Sequence, residues 1–145
     1  FKGCTSLVDA PVIPDSVLDM SEAFLGDSNI YTASAFPESV EDISSAYADC
    51  ISLEKAASIP ASVINCDSCY SGCSNLYGEL SINTNTEDCA NLLSNAVTSG
   101  KTLKLKGKSG RLFEIQQDSG SRYVTIKDTE KAEKNAKKLE RQNNQ

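Results

Sequence analysis

Histidine is entirely absent from the 145-residue chain. This excludes a histidine general base, a Ser-His-Asp or Cys-His pair, and any imidazole metal ligand. Tryptophan is also absent, methionine occurs once, and aromatics make up 6% of the residues. So little large apolar mass predicts a modest core for one domain of this length, a deficit that cross-links would offset. No apolar run reaches the roughly 18 residues of a membrane-crossing helix. There is no Asn-x-Ser/Thr sequon, EF-hand loop, phosphate-binding P-loop or GxGxxG turn.

Basic residues are scarce over most of the chain. Residues 1–100 carry only Lys2 and Lys55 against 14 acidic side chains, a net of −12. Residues 101–145 carry 12 basic and 6 acidic side chains, a net of +6, and the two parts give the −6 of the whole. The change of sign marks an expected boundary near Gly100-Lys101.

Six cysteines are present, and three fall in the stretch 61–80, ASVINCDSCYSGCSNLYGEL. Val63, Cys66, Tyr70, Cys73, Tyr77 and Leu80 follow one another at spacings of three and four. That is the stripe of an amphipathic helix, with Ser62 as its N-cap and Pro60 as the stop before it. Gly72 weakens it by about 1 kcal/mol relative to alanine. Similar reasoning predicts a helix from about Pro37 to Ile59, buried through Val40, Ile43, Tyr47, Cys50, Leu53 and Ala57. Another is expected from about Thr86 to Thr98, buried through Cys89, Leu92, Leu93, Ala96 and Val97.

Fifteen residues separate Cys50 from Cys66, and fifteen separate Cys73 from Cys89. In antiparallel helices joined by short turns such positions face each other, so the expected pairing is Cys50–Cys66 and Cys73–Cys89, with Cys4–Cys69 left over. Six cysteines allow fifteen connectivities, so spacing alone does not fix the set. All six cysteines, Cys4, Cys50, Cys66, Cys69, Cys73 and Cys89, are expected in structural disulfides. This places the chain in an oxidising compartment (secreted, periplasmic or an organelle lumen), peripheral at most to a membrane complex. No internal repeat beyond this cysteine symmetry is apparent.

Around these helices, residues 1–36 read as an extended arm with a short helix near 15–25. Beyond residue 100 the period shifts to two. Thr102–Lys106, Arg111–Gln116 and Arg122–Lys127 read as three antiparallel strands of a basic meander, joined at GKSG and DSGS. Residues 128–145 form a charged helix or tail, with Glu130–Lys134 and Glu133–Lys137 as i,i+4 pairs. The expected fold is α+β. A small disulfide-stapled helical core (37–100) is followed by a three-stranded antiparallel meander (101–127) and the charged C-terminal segment.

Cys66-Asp67-Ser68-Cys69 has the CxxC spacing of thiol redox enzymes, but no strand precedes it, and structural disulfides explain the cysteines more simply. Cys66, Cys69, Cys73 and Cys89 supply four thiolates without the common zinc or iron–sulfur spacing. No cofactor or metal is expected. The acidic pairs Glu41-Asp42 and Glu87-Asp88 sit where helix starts are expected and need no chemistry. The basic part lacks the aromatics of a nucleic-acid platform, so no nucleic-acid partner is expected. The composition is similar to that of small helical secreted proteins with six cysteines, such as the oomycete elicitins, whose cysteine spacing differs.

The functional expectation is a non-catalytic accessory or linker subunit that docks on a larger assembly, such as an organelle membrane complex (photosynthetic or respiratory). Contact would run through Lys101, Lys104, Lys106, Lys108 and Arg111 against an acidic protein surface. The alternatives are a secreted disulfide-rich ligand- or receptor-binding module and a cysteine-based redox or metal-binding protein.

Overall fold

The computed structural model describes residues 1–9 and 11–144; Ala10 of the expected arm and Gln145 of the charged tail lie outside them. Most of the chain is a stack of parallel coils, each 23 residues long. Parallel bridges join Asp9 to Thr32 and Thr32 to Lys55, Asp19 to Asp42 and Asp42 to Asn65, and Ile59 to Ile82. Every one of these steps is 23 residues. Backbone bonds run the same way. The N–H groups of Met20, Glu22, Phe24 and Gly26 donate to the carbonyls of Asp42, Ser44, Ala46 and Ala48, at 2.7–2.9 Å. Ile43, Ser45, Tyr47 and Asp49 repeat the pattern one coil on, to Asn65, Asp67, Cys69 and Ser71. Each coil satisfies its backbone on the next, as a solenoid requires.

Side chains 23 apart therefore share a column in the core. Ile30, Leu53 and Leu76 make one such column, Phe36, Ile59 and Ile82 a second, and Met20, Ile43, Cys66 and Cys89 a third, all of them buried. A fourth is aromatic. The rings of Phe1, Phe24, Tyr47 and Tyr70 stack in sequence with centroids 5.5, 4.9 and 5.7 Å apart and planes within 13°. This column is a continuous apolar spine through four coils, and pairs of this kind add about 0.5–1.5 kcal/mol each beyond their burial.

No helix precedes Leu112 among the described residues, which corrects the expected helical core and the short helix near 15–25. The cause is local. Glu22, Ser45 and Ser68 have φ of 58°, 54° and 59°, and Gly26, Asp49 and Gly72 have φ of 76°, 60° and 76°. Two left-handed residues four apart in each coil interrupt any right-handed helix. Between them the chain folds in tight turns, with Cys69 N–H donating to Cys66 O and Cys73 N–H to Tyr70 O. Such turns also bring every third or fourth residue inward, so Cys66, Cys69, Tyr70, Cys73 and Leu76 are all fully buried.

The coils end in a three-stranded, all-parallel sheet of β1 (Gly78–Ser81), β2 (Leu103–Lys106) and β3 (Val124–Ile126), in that order. The expected antiparallel meander is thereby overturned. Its middle strand is instead helix α1 (Leu112–Ser119), which links β2 to β3 and ends at Gly120 in the left-handed conformation. A helix between two strands is what permits a parallel pairing. The charged segment forms helix α2 (Thr129–Asn143), capped by the Asp128 carboxylate, which accepts from Lys131 N–H. Only Ala132 of α2 is buried. With its polar outer face, α2 is the kind of terminal cap a stacked array needs.

Candidate functional site: the outer face of the parallel sheet

Strand residues alternate between core and solvent. Ser34, Ala57, Leu80 and Leu105 point inward and are buried. Their neighbours make the outer face, in two rows fixed by the register. Glu79 pairs with Lys104, and Lys104 with Thr125; Ser81 pairs with Lys106. One and two coils earlier, the 23-residue step places Ala56 and Ala33 in the first row and Ser58 and Ala35 in the second. Along the stack the face thus changes from alanine and serine to lysine.

Two adjoining hollows lie on this face. The first, about 560 Å³, is lined by Ala33, Ala35, Ala56 and Ala57 with Phe36 and Pro60, and carries Glu38 and Ser58 at its wall. The second, about 400 Å³, is lined by Lys106, Lys108, Lys127 and Lys131 with Asp128, over Leu112 and Ala132. Asn83 and Lys108 border both hollows, so the two form one groove. Gly107 lines the second hollow at φ 109°, where a Cβ would collide with the Ile82 carbonyl oxygen. The close approach of the two backbones at that wall requires glycine.

Charge on the face is partly paired. Glu79 receives Lys127 at 2.6 Å and Lys106 at 3.0 Å. Hydrogen bonds from Lys127 and then Lys106 hold its carboxyl down at about 2. Lys104, Lys108 and Lys131 form no ion pair among the described residues.

Of the five docking residues expected from sequence, Lys104 and Lys106 lie on outward positions of β2, and Lys108 follows in the loop. Lys101 instead sits over the Tyr77 ring, 4.5 Å from its centroid. Arg111 is drawn into the fold. Its Nε donates to Asn85 O at 2.6 Å, and its guanidinium pairs with Glu114 at 3.3 Å. Lys127 and Lys131, absent from the sequence-based set, complete the lysine hollow. The signal for Lys127 was its place at the end of an alternating strand, but only parallel register sets it beside Lys106.

The cysteines are bonded differently from the expected pairing. Cys66 is joined to Cys89, 23 residues on, and Cys4, Cys50, Cys69 and Cys73 are free. Stacked coils bring together residues 23 apart, whereas the expected pairing required a helical hairpin. Cys66 and Cys69 therefore do not pair as a CxxC. Because Cys66 and Cys89 are bonded to each other, the four-thiolate set is not assembled either. Burial pushes Cys50 up to about 12, and raises Cys69 and Cys73 as well. The Cys50 and Cys73 thiols contact the carbonyls of Phe24 and Tyr47 at 3.1 and 3.0 Å. They behave as small apolar fillers.

The chain matches no family model, no curated protein and no solved structure. No helix is long and apolar enough to cross a membrane among the described residues. The Cys66–Cys89 disulfide is of a kind that persists in oxidising compartments.

Proposed function

We propose that this chain is a non-catalytic docking module that uses the outer face of its parallel sheet to hold an acidic segment of a partner protein. The observation that carries this reading is the face itself, an alanine floor leading into a lysine-lined hollow. Solenoids commonly bind through the extended surface that repetition creates. Small side chains admit a backbone closely, and unpaired lysines at one end give it direction and sign. The non-catalytic part rests on the thiols. The buried ones are shifted upward, opposite to the shift that activates a cysteine nucleophile. An oxidising compartment is the setting that suits the disulfide.

The test is titration of the protein with a short oligoglutamate peptide, followed by fluorescence anisotropy at low and high salt. Saturable binding that weakens with salt, and is lost in Lys104→Glu/Lys108→Glu, supports the reading. No binding at low salt, or binding indifferent to that double substitution, overturns it.

A further inference from the structure

The lysine hollow carries more charge than the groups around it neutralise. Four lysines line it, Lys106, Lys108, Lys127 and Lys131, with one acidic residue, Asp128. Glu79, outside the hollow, engages Lys106 and Lys127. Four positive charges against these two negative ones leave +2 at a single cleft. Asp128 is further committed to the α2 backbone as the acceptor from Lys131 N–H. The unpaired charges belong to Lys108, in the loop after β2, and Lys131, in the first turn of α2. Loop and helix are fastened together by Asn135 Nδ2 donating to Gly107 O at 3.3 Å. The cleft floor includes the buried side chains of Leu112 and Ala132, so charges above it are less screened than on an open surface.

We propose that this hollow binds a phosphate dianion, carried by a monoester or free. A phosphate monoester carries about −1.5 to −2 near pH 7, which matches the +2 left over, whereas a carboxylate would leave one lysine unanswered. Ammonium groups bind phosphate as point charges and need no planar fork. The volume of about 400 Å³ also exceeds what a single carboxylate fills and lies in the range of small-ligand sites. This goes beyond the docking reading, because it names a bound group rather than a partner surface, and the oligoglutamate test can fail while this one succeeds.

The experiment is a two-dimensional amide NMR titration of the full chain with inorganic phosphate, at constant ionic strength set with sodium chloride. Expected are saturable shifts at Ser81, Lys108 and Lys131, with a dissociation constant of about 1 mM or tighter. Lys108→Gln/Lys131→Gln should weaken binding at least about tenfold, while Lys138→Gln, an exposed lysine of α2 outside the hollow, leaves it unchanged. Circular dichroism checks that both variants fold. Affinity for inorganic phosphate should also rise between about pH 6 and 8, because its second ionisation lies near pH 7, while any response to acetate, ionised throughout that interval, stays flat. Shifts that do not saturate, or that match those from chloride, overturn the proposal. So does affinity unaltered in the double variant, or acetate bound as tightly as phosphate. A second arm compares inorganic phosphate with a blocked Ala-phosphoserine-Ala peptide. Tighter binding of the peptide assigns the group to a phosphorylated side chain, and tighter binding of inorganic phosphate to a free one; either result supports a phosphate site.

Discussion

The hydroxyl of Tyr70 both accepts from Ala57 N–H and donates to Ala57 O, each at 2.8 Å. One coil earlier Tyr47 accepts from Ser34 N–H at 2.8 Å and faces Ser34 O at 3.4 Å. Each tyrosine ring extends the aromatic spine, and its hydroxyl satisfies backbone groups on the inner side of the sheet. The spine and the outer face of the sheet are thus physically connected, since Ala57 and Ser34 adjoin the outward residues Ala56, Ser58, Ala33 and Ala35.

Tyr70→Phe keeps the stacking and removes only the hydroxyl. It leaves two buried backbone groups of Ala57 without their partner, at a cost of about 1–3 kcal/mol for each group so stranded. Tyr70→Ala also loses the ring, and truncating an aromatic core residue costs about 3–5 kcal/mol from lost burial and the cavity together. Urea unfolding of the two variants should rank wild type above Tyr70→Phe above Tyr70→Ala. A Tyr70→Phe protein as stable as wild type would show that the hydroxyl contributes nothing.

The cysteine arrangement makes a stepwise prediction. Native protein without reductant should label at one thiol, the exposed Cys4. Denatured without reductant, it should label at four, because Cys50, Cys69 and Cys73 become accessible. With reductant all six react. Intact mass after alkylation reads each step, and peptide mapping should find Cys66 and Cys89 protected together. Reduction should lower stability by about 3 kcal/mol in the chain-entropy model for a loop of this size. Six blocked thiols in the denatured, unreduced protein would refute this arrangement and restore a fully stapled one.

Alkaline pH should destabilise the fold. Burial raises the thiols of Cys50, Cys69 and Cys73 and the phenols of Tyr47 and Tyr70 above their ordinary values. A group whose folded value is raised holds its proton more tightly when folded. Its contribution is complete below the unfolded value, about 8.5 for cysteine and 10 for tyrosine, and is lost as pH rises toward the folded one. The urea midpoint should therefore hold steady from pH 7 to about 8.5 and decline above it. Cys50→Ala should shallow that decline, since the unfolded chain then has one thiol fewer to ionise. A midpoint level to pH 11 would contradict the buried placement of these groups.

Part of this architecture was legible in the sequence. The charge reversal at residue 100, the alternating strands around Leu103 and Val124 and the charged C-terminal helix all follow from local pattern. So does the burial of Cys50, Cys66, Cys69, Cys73 and Cys89, whose spacing marks them as inward-facing. The 23-residue repeat overturns the expectation of no repeat beyond the cysteine symmetry, although its trace stands in Pro14-Asp-Ser-Val17, Pro37-Glu-Ser-Val40 and Pro60-Ala-Ser-Val63, each one coil from the next. There Ser39 and Ser62 donate to the carbonyls of Val17 and Val40 in the preceding coil. The three-and-four spacing of Val63 to Leu80 concealed it, because tight turns and a helix both bring every third or fourth residue to one side.

The sequence by itself determined which side chains are apolar, where the charge changes sign and which residues tolerate a left-handed backbone. It did not determine how those inward residues pair across the chain, because local spacing is indifferent to whether a turn closes into a helix or passes to the next coil. Tertiary structure decided that. Once backbone hydrogen bonds join residues about 23 apart, Cys66 meets Cys89, the strands become parallel, and Lys106 and Lys127 converge on Glu79. The lysine hollow exists only because that stacking sets β2, the loop after it and the start of α2 side by side.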